Sequence, residues 1–502
     1  MDLYKIEKND NVAVALRVIK PGEKFDVDNK KITAMEEIPQ AHKIAVTEIK
    51  KDDPILKYGN VMGYATEDIK PGYWVHTHNV RVASEGFVEY TYNFDKNNVI
   101  MPGSKVTNAT FMGYKRNDGQ TGIRNHLLVL PTVFCANGPA SEMADMINEK
   151  YNKSKNFDGA IALPHSNGCS QVGNDLEMTS KIIAGMVHNA NFGGVIVVSL
   201  GCEVNDLKQM MPYIGEYDKK RVKFIVLQEV EDEFEEALKL ADEIMEEMSE
   251  DHREKLPLKD LHIAVNCGGS DGHSGITANK VVGMLTDRLV AEDATVNMTE
   301  VPEMFGAEHI LMNRAVDEGV FQDIVDMING YKEYFAKYGV AAADNPTQGN
   351  KEGGLTTIQD KSLGCTNKGG NCAVSQVLGY GDRATKHGFV LVTGPGNDLA
   401  GISAQVAAGA VMVVFTTGRG TPCGFAAPTF RLSSNTPLAK KKTAWIDYDA
   451  GRLLEADTEK KKNALAEQLY EMVIETANGT FIPYAERKGY RQLGMLRDGV
   501  TD

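Results

Sequence analysis

Six short segments of the chain combine side chains that ligate metals or move protons with a position just after an apolar run of strand length. After residues 160–163 comes Pro164-His165-Ser166-Asn167-Gly168-Cys169, and after 195–200 comes Gly201-Cys202-Glu203. After 263–265 the chain reads Asn266-Cys267-Gly268-Gly269-Ser270-Asp271, and after 294–298 it reads Thr299-Glu300. The run 389–393 leads into Gly394-Pro395-Gly396-Asn397-Asp398, and 411–416 leads into Thr417-Gly418-Arg419-Gly420. In open α/β sheets ligands bind at the carboxyl ends of strands. Three such ends carrying a cysteine, with a histidine and glutamates beside them, point to convergence on one site. Thiolate, imidazole and carboxylate together suit a borderline transition metal such as Fe(II), Mn(II) or Zn(II). His165, Cys169, Cys202 and Cys267 are the candidate contacts; the plain alternative for any one cysteine is a small buried apolar residue.

Other segments add candidates. His76-Thr77-His78 places two imidazoles two residues apart, on one face if the segment is a strand. Lys361-Ser362-Leu363-Gly364-Cys365-Thr366-Asn367-Lys368 through Cys372 supplies two cations and two thiols. Lys368 in a turn is suited to neutralising a carboxylate or to acid–base work. The glycine-rich turns at 394–401 and 418–424 miss the GxGxxG spacing, and no GxxxxGK[ST] occurs. Such turns can instead form a backbone nest for a carboxylate, helped by Arg419.

The elements that must position these groups fall into two kinds. Residues 1–95 hold short alternating runs (12–18, 44–49, 74–82, 87–92) between turns such as Lys20-Pro21-Gly22 and Lys70-Pro71-Gly72, which predicts a small all-β module. Residues 96–112 are polar and read as a linker. From there on, buried strand-length runs alternate with helical stretches, the clearest over 231–249, which predicts a parallel α/β body. Its expected division is a first α/β domain over 113–255 and a second over 256–502.

Composition sets outer bounds. The 502 residues carry 54 Lys+Arg against 69 Asp+Glu, a net charge of −15, which argues against a nucleic-acid or anionic-membrane partner. No run approaches the ~18 apolar residues of a membrane span. The first residues lack the basic and apolar regions of an export signal, and seven cysteines without a CxxC pair disfavour a disulfide framework or zinc ribbon. A reduced, cytoplasmic setting is expected.

Taken together, the motifs resemble the altronate dehydratase family of sugar-acid dehydratases, which includes galactarate dehydratase and a sulfolactate sulfo-lyase. The β module resembles that family's β-clip (SAF) domain through DNVAVAL at 10–16, AHKIAV at 41–46, KYGNVMGYA at 57–65 and HTHN at 76–79. The body matches through GYKRNDGQTGIRN at 113–125, HSNGCSQ at 165–171, GCE at 201–203, CGGSDGHSGITAN at 267–279, TEVPEMFGAE at 299–308, KSLGCTNKGG at 361–370 and TGRGTP at 417–422. His76, His78 and Cys365 look like features of the altronate branch.

The resemblance implies a Rossmann-like body, a homodimer, and dehydration of D-altronate to 2-dehydro-3-deoxy-D-gluconate with a divalent metal, Fe(II) or Mn(II). In that reaction a base removes the proton at C2, and an acid or the metal helps the C3 hydroxyl leave. The expected roles follow. His165, Cys169, Cys202, Glu203 and Cys267 form the metal set, Arg419, Asn397 and Asp271 contact the substrate, Arg419 and Lys368 hold its carboxylate, and His76, His78 and Lys368 supply acid–base groups. An iron–sulfur cluster on three of the strand-end cysteines is the alternative cofactor. A lyase acting on galactarate or sulfolactate, and a non-catalytic sugar-acid-binding protein, are the alternative functions.

Overall fold

The computed structural model describes residues 2–83, 86–340 and 345–499. Residues 1, 84 and 85 of the expected β module, and 341–344 and 500–502 of the expected second α/β domain, lie outside the described residues.

The N-terminal region is all-β. Leu3–Tyr4, Val12–Ala15, Lys43–Ala45 and Trp74–Val75 form a four-stranded antiparallel sheet in that order. Pro54–Lys57, Asn60–Ala65 and Val80–Arg81 form a second, and Lys24–Val27 pairs with Lys30–Thr33. Alternation packs Ala13, Ala15, Ile19, Ile38 and Ile44 inward. The Lys70-Pro71-Gly72 turn needs its glycine: φ is 92° and a Cβ there would sit 2.0 Å from the Thr33 carbonyl.

Two expected elements differ. The run 74–82 is not one strand but two short ones joined by a turn, so His76 and His78 lie in that turn rather than on a strand face. Residues 87–92 form no strand, because their aromatic rings find the body instead. Tyr90 donates to Glu308 at 2.6 Å, and Tyr92 donates to the Ala315 carbonyl at 2.9 Å.

The expected linker is tied down along its length. Ile100 and Gly103 donate to the Asn371 and Val290 carbonyls, and Thr107 N–H donates to Glu292 at 2.6 Å. From Thr110 it becomes a strand, Thr110–Lys115, pairing with Thr121–Gly122 and Glu254–Pro257.

The body contains two parallel sheets. The first has the order Ala160–Ala162, His126–Pro131, Phe192–Ser199, Val222–Val226. Helices Asn137–Tyr151 and Glu233–Met248 cover one face, and Asn174–Val187 and Leu207–Ile214 the other. The second sheet has seven strands: Val374–Leu378, Gly388–Val392, Thr295–Met298, His262–Cys267, Met412–Thr417, Thr429–Ser433 and Tyr448–Asp449. All its pairings are parallel. Strands buried on both faces explain the unbroken apolar runs in the sequence. One apolar core runs through both units, with Ile182 and Val197 of the first beside Ile402 and Phe415 of the second. Strand order reverses about His262–Cys267, whose neighbours are Thr295–Met298 and Met412–Thr417. Its carboxyl end is therefore the crevice where this architecture places ligands. Among the described residues, no helix is long and apolar enough to cross a membrane.

Candidate active site

At that crevice the structure gathers two thiols, two carboxylates and two lysines. Cys267 ends the central strand, Glu300 follows Thr295–Met298, and Glu303 lies in the turn Val301–Met304. Cys365 ends the helix Ile358–Cys365, which Thr357 caps by accepting from Asp360 N–H. The ligand atoms of Cys267, Glu300, Glu303 and Cys365 all lie within 4.8 Å of one another, and all four residues are buried. The Lys368 ammonium sits among them, 3.0 Å from the Cys267 sulfur, 2.8 Å from that of Cys365 and 2.9 Å from Glu300 Oε2. Lys361 pairs with Glu303 at 2.6 Å. Glu300 has left-handed backbone angles (φ 72°, ψ 49°), a conformation that costs a bulky residue about 1–3 kcal/mol. The packing holds it there, aimed at the thiols.

Electrostatics here follow from burial. Four ionised acids against two ammoniums would leave two uncompensated negative charges in a dry interior, which proteins do not tolerate. The groups respond by separating. Hydrogen bonding from Cys365 overcomes the desolvation of Cys267 and, with Lys368, holds its thiol well below the usual range. The same Cys267 contact, with burial, drives Cys365 well up. Burial and the Cys267 charge drive Glu300 well up, outweighing Lys368. Burial works to lower the Lys368 ammonium, but Cys267, Cys365 and Glu300 outweigh it and hold it well above its ordinary value. Asp398, beside Asn266 at 3.4 Å, is pushed up to about 7 by burial and then by Glu303 and Cys267.

The donor set fits a divalent cation. With all four acids ionised, as ligation requires, two positive charges are missing for neutrality, and thiolate with carboxylate suits a borderline metal. Buried Asn266 Oδ1, Thr299 Oγ1 and Ser362 Oγ, on residues adjoining Cys267, Glu300 and Lys361, have no hydrogen-bond partner in the protein. Cys267 and Cys365 open onto a small cavity bounded by Tyr58 of the β module and by Asp271, Leu355 and Lys361 of the body. A larger cleft at the same seam, with Tyr64, Tyr90, Phe305 and Lys332 in its walls, reaches none of the four acids.

Helix Ile358–Cys365 also seats the β module. Asp360 accepts from Lys43 and Lys57 at 2.8 Å each, with all three side chains buried. The module's aromatic group lies nearby. Trp74 Nε1–H donates to His42 Nδ1 at 3.1 Å, His42 Nε2 donates to the Glu352 carbonyl, and His76 Nδ1 is 3.2 Å from Thr356 Oγ1. Burial, and then Lys43, lower His42 to about 4 and His76 to about 3, so both imidazoles are neutral near pH 7. His78 is exposed and touches only the Trp74 ring among the described aromatic contacts.

The expected metal set is not gathered in one place. Cys267 and Lys368 belong to the buried centre, whereas His165, Cys169, Cys202 and Glu203 lie at the end of the four-stranded sheet. His165 Nε2 donates to the Pro131 carbonyl at 2.8 Å, and its Nδ1 accepts from Asn167 N–H. Glu203 accepts from Thr132, Ser199, and the Leu200 and Gly201 N–H groups, so its oxygens are engaged in fixing the loop. Asp271 accepts from Ser274, Ser434 and Asn435, and Asn397 caps the helix Asp398–Ala407. Arg419 is half exposed, 3.6 Å from Glu352. Glu303, Lys361 and Asp398 carry more of the site than the sequence assigned them. Glu303 in particular lies three residues beyond the strand-end Glu300, on a turn that brings both to one point.

Three family profiles cover nearly the whole chain. They are the altronate/galactarate dehydratase SAF domain over 1–83, the D-galactarate dehydratase/altronate hydrolase second domain over 113–249, and the D-galactarate/altronate dehydratase C-terminal domain over 258–501. Altronate dehydratase of Bacillus subtilis (strain 168) is 44% identical over 99% of both chains. Altronate dehydratase of Escherichia coli (strain K12) is 40% identical over 100% of both. Galactarate dehydratase (L-threo-forming) of the same strain is 32% identical over 98% of this chain and 96% of its own. With its SAF module, parallel α/β body and buried acid–thiol centre, the chain belongs to the galactarate/altronate dehydratase family.

Proposed function

We propose that the chain is a hydro-lyase that converts D-altronate to 2-dehydro-3-deoxy-D-gluconate, removing the C2 proton and expelling the C3 hydroxyl. The observation that carries this reading is the Lys368 ammonium held among Cys267, Cys365 and Glu300 at a strand-order crevice. The full-length similarity to altronate dehydratases supports the choice of substrate. Ionising C2 beside a carboxylate builds a second negative charge on an anion, so the site must offer fixed positive charge and a base of matched pKa. Lys368 and Lys361 provide the charge. Asp398, near 7, is suited to accept the proton, and Lys368, held protonated, is suited to offset the negative charge that builds as the hydroxyl departs. Arg419, at the end of the neighbouring strand, is the proposed carboxylate contact.

Cys267, Cys365, Glu300 and Glu303 are the residues that would hold a divalent metal, Fe(II) or Mn(II) in this reading. Bound there, the metal would supply a Lewis acid for the developing enediolate. The body is read as Rossmann-like on the strength of its parallel sheet and central strand-order reversal.

Anaerobic protein with Fe(II) or Mn(II), mixed with D-altronate, galactarate and sulfolactate in parallel and compared against chelator, tests the reading. Release of the 2-keto-3-deoxy acid from altronate alone supports it. Turnover of another acid moves the substrate, and binding without turnover of any acid replaces the enzyme with a binding protein.

A further inference from the structure

A second group of thiols stands apart from the acid–thiol centre. The first parallel sheet places Ala160–Ala162, His126–Pro131 and Phe192–Ser199 side by side, and the loop after each strand carries one cysteine: Cys169, Cys135 and Cys202. All three are unpaired thiols. Cys135 and Cys202 are exposed and Cys169 is half buried. Neighbouring strands are about 4.8 Å apart, and the loops are stitched together above the sheet. Phe134 N–H donates to the Asn167 carbonyl at 3.0 Å, and Asn205 N–H donates to the Gly168 carbonyl at 3.1 Å. The Asn205 side chain donates to the Thr132 carbonyl at 3.1 Å. Each loop thus touches both others.

The loops are densely hydrogen-bonded. His165 and Glu203 spend their polar atoms fixing them, as described above. Gly168 N–H donates to Gln171 Oε1 at 2.7 Å, and a Cβ on Gly168 would fall 2.2 Å from the Thr132 carbonyl. Ser170, beside Cys169, has a left-handed φ of 53°; strain of this kind collects at ligand clamps. Gln228 Nε2–H donates to the Cys202 sulfur at 3.4 Å. Three exposed apolar side chains, Phe134, Val172 and Val204, each lie within three residues of one of the cysteines. They offer the water-shielding surround that metal centres use to set potential and access.

We propose that Cys135, Cys169 and Cys202 hold an iron–sulfur cluster of the [4Fe–4S] type, with one iron lacking a protein ligand. A single zinc ion fits less well. Among the described residues, Cys267, Glu300, Glu303 and Cys365 are the one group of three or more ligands within 4.8 Å of one another, so these three sulfurs are not so close. Tetrahedral zinc at about 2.3 Å from sulfur needs sulfurs about 3.8 Å apart and a fourth ligand. The nearest candidates in sequence for that fourth ligand, His165 and Glu203, are already engaged. A cluster spans a wider triangle and is ligated by thiolates.

The test is anaerobic purification and reconstitution of the full chain with Fe(II) and sulfide, reading visible absorption, iron and acid-labile sulfide, and the electron paramagnetic resonance signal after reduction. The expected result is a brown protein with about four sulfides per chain and about four irons beyond any Fe(II) held at the buried centre. Cys135→Ser, Cys169→Ser and Cys202→Ser are expected to lose most of both. Cys267→Ser and Cys423→Ser are expected to keep them. Cys135 and Cys202 are exposed, so their serine variants fold, and circular dichroism checks this. A wild-type chain that takes up no sulfide, a triple serine variant that takes up as much as wild type, or stoichiometric zinc in colourless protein overturns the proposal. Altronate turnover on the same samples separates the two readings. Colourless active enzyme overturns the cluster alone, and a brown protein inert toward altronate overturns the proposed function alone.

Discussion

Replacing Asp360 with asparagine should separate the β module from the body while leaving both folded. Asp360 is fully buried and gives one oxygen to Lys57 and the other to Lys43, each at 2.8 Å, and the second also accepts from Thr356 N–H at 3.0 Å. Asparagine removes the charge and turns an amide N–H₂ toward one of two dry ammoniums. Removing one partner of a buried ion pair costs about 3–5 kcal/mol, or roughly two to four orders of magnitude in the docking equilibrium. Trp74, packed on His42 and His76 at the seam, reports the change. The chain has two tryptophans, so in a Trp445→Phe background its fluorescence follows module docking against guanidinium. The expected D360N transition moves to lower denaturant, ahead of the loss of helical signal. A triple variant, Lys43→Met, Lys57→Met, Asp360→Leu, should recover most of the loss, since packed apolar side chains replace a buried charge group at little or no cost. Lys43 and Lys57 hold Asp360 below its ordinary pKa against the pull of burial. Its contribution is therefore complete above an unfolded pKa of ~3.9 and disappears only as pH falls through the depressed folded value. A D360N midpoint within roughly 1 kcal/mol of wild type, against the expected loss, would refute the argument.

Further outcomes follow from the same geometry. Lys368→Met should lower altronate turnover by roughly 10²–10⁴-fold with the fold retained by circular dichroism; normal turnover removes Lys368 from the mechanism. Binding of Mn(II) at the buried centre should release protons, because Glu300 and Cys365 are both pushed up and must ionise to ligate. Calorimetry in buffers of different ionisation enthalpy reads this, and buffer-independent heats would contradict it. His165→Ala should cost about 1–3 kcal/mol of stability through its lost loop hydrogen bonds but leave Mn(II) binding at the buried centre unchanged. His42 and His76, lowered to about 4 and 3, bind fewer protons folded than unfolded (~6.5). Stability should therefore fall as pH drops from about 6.5 toward 3, and His76→Phe should flatten that slope in acid unfolding curves.

Much of the architecture was legible because buried parallel strands leave an unmistakable trace. The runs at 195–200 and 389–393 became Phe192–Ser199 and Gly388–Val392, within a few residues. The strand-end rule also brought Cys267, Glu300 and Asp398 into view. It could not say which strand ends share a sheet. Cys169 and Cys267 look alike in sequence, yet one lies in the loop after a strand of the four-stranded sheet and the other ends a strand of the seven-stranded one, so the expected single metal set divides. Histidine was the weaker guide. His165 and His76 carry the right chemistry but spend it on a backbone carbonyl and a threonine, choices made by tertiary packing. Asp360 gave no signal either, because its two lysines lie more than 300 residues away in sequence.

The buried Lys43–Asp360–Lys57 group has a consequence for how substrate reaches the buried centre. An apolar seam lets two surfaces creep past one another, since each small slip trades one contact for a similar one. Here a slip of one residue would strand two ammoniums and a carboxylate without partners, so intermediate positions are steep maxima. The module therefore has one seat on the body, and sliding is closed to it. Entry wider than the small Tyr58-lined cavity requires lift-off as a unit, a discrete event with its own rate. That rate would cap turnover however fast the proton transfers beneath it become.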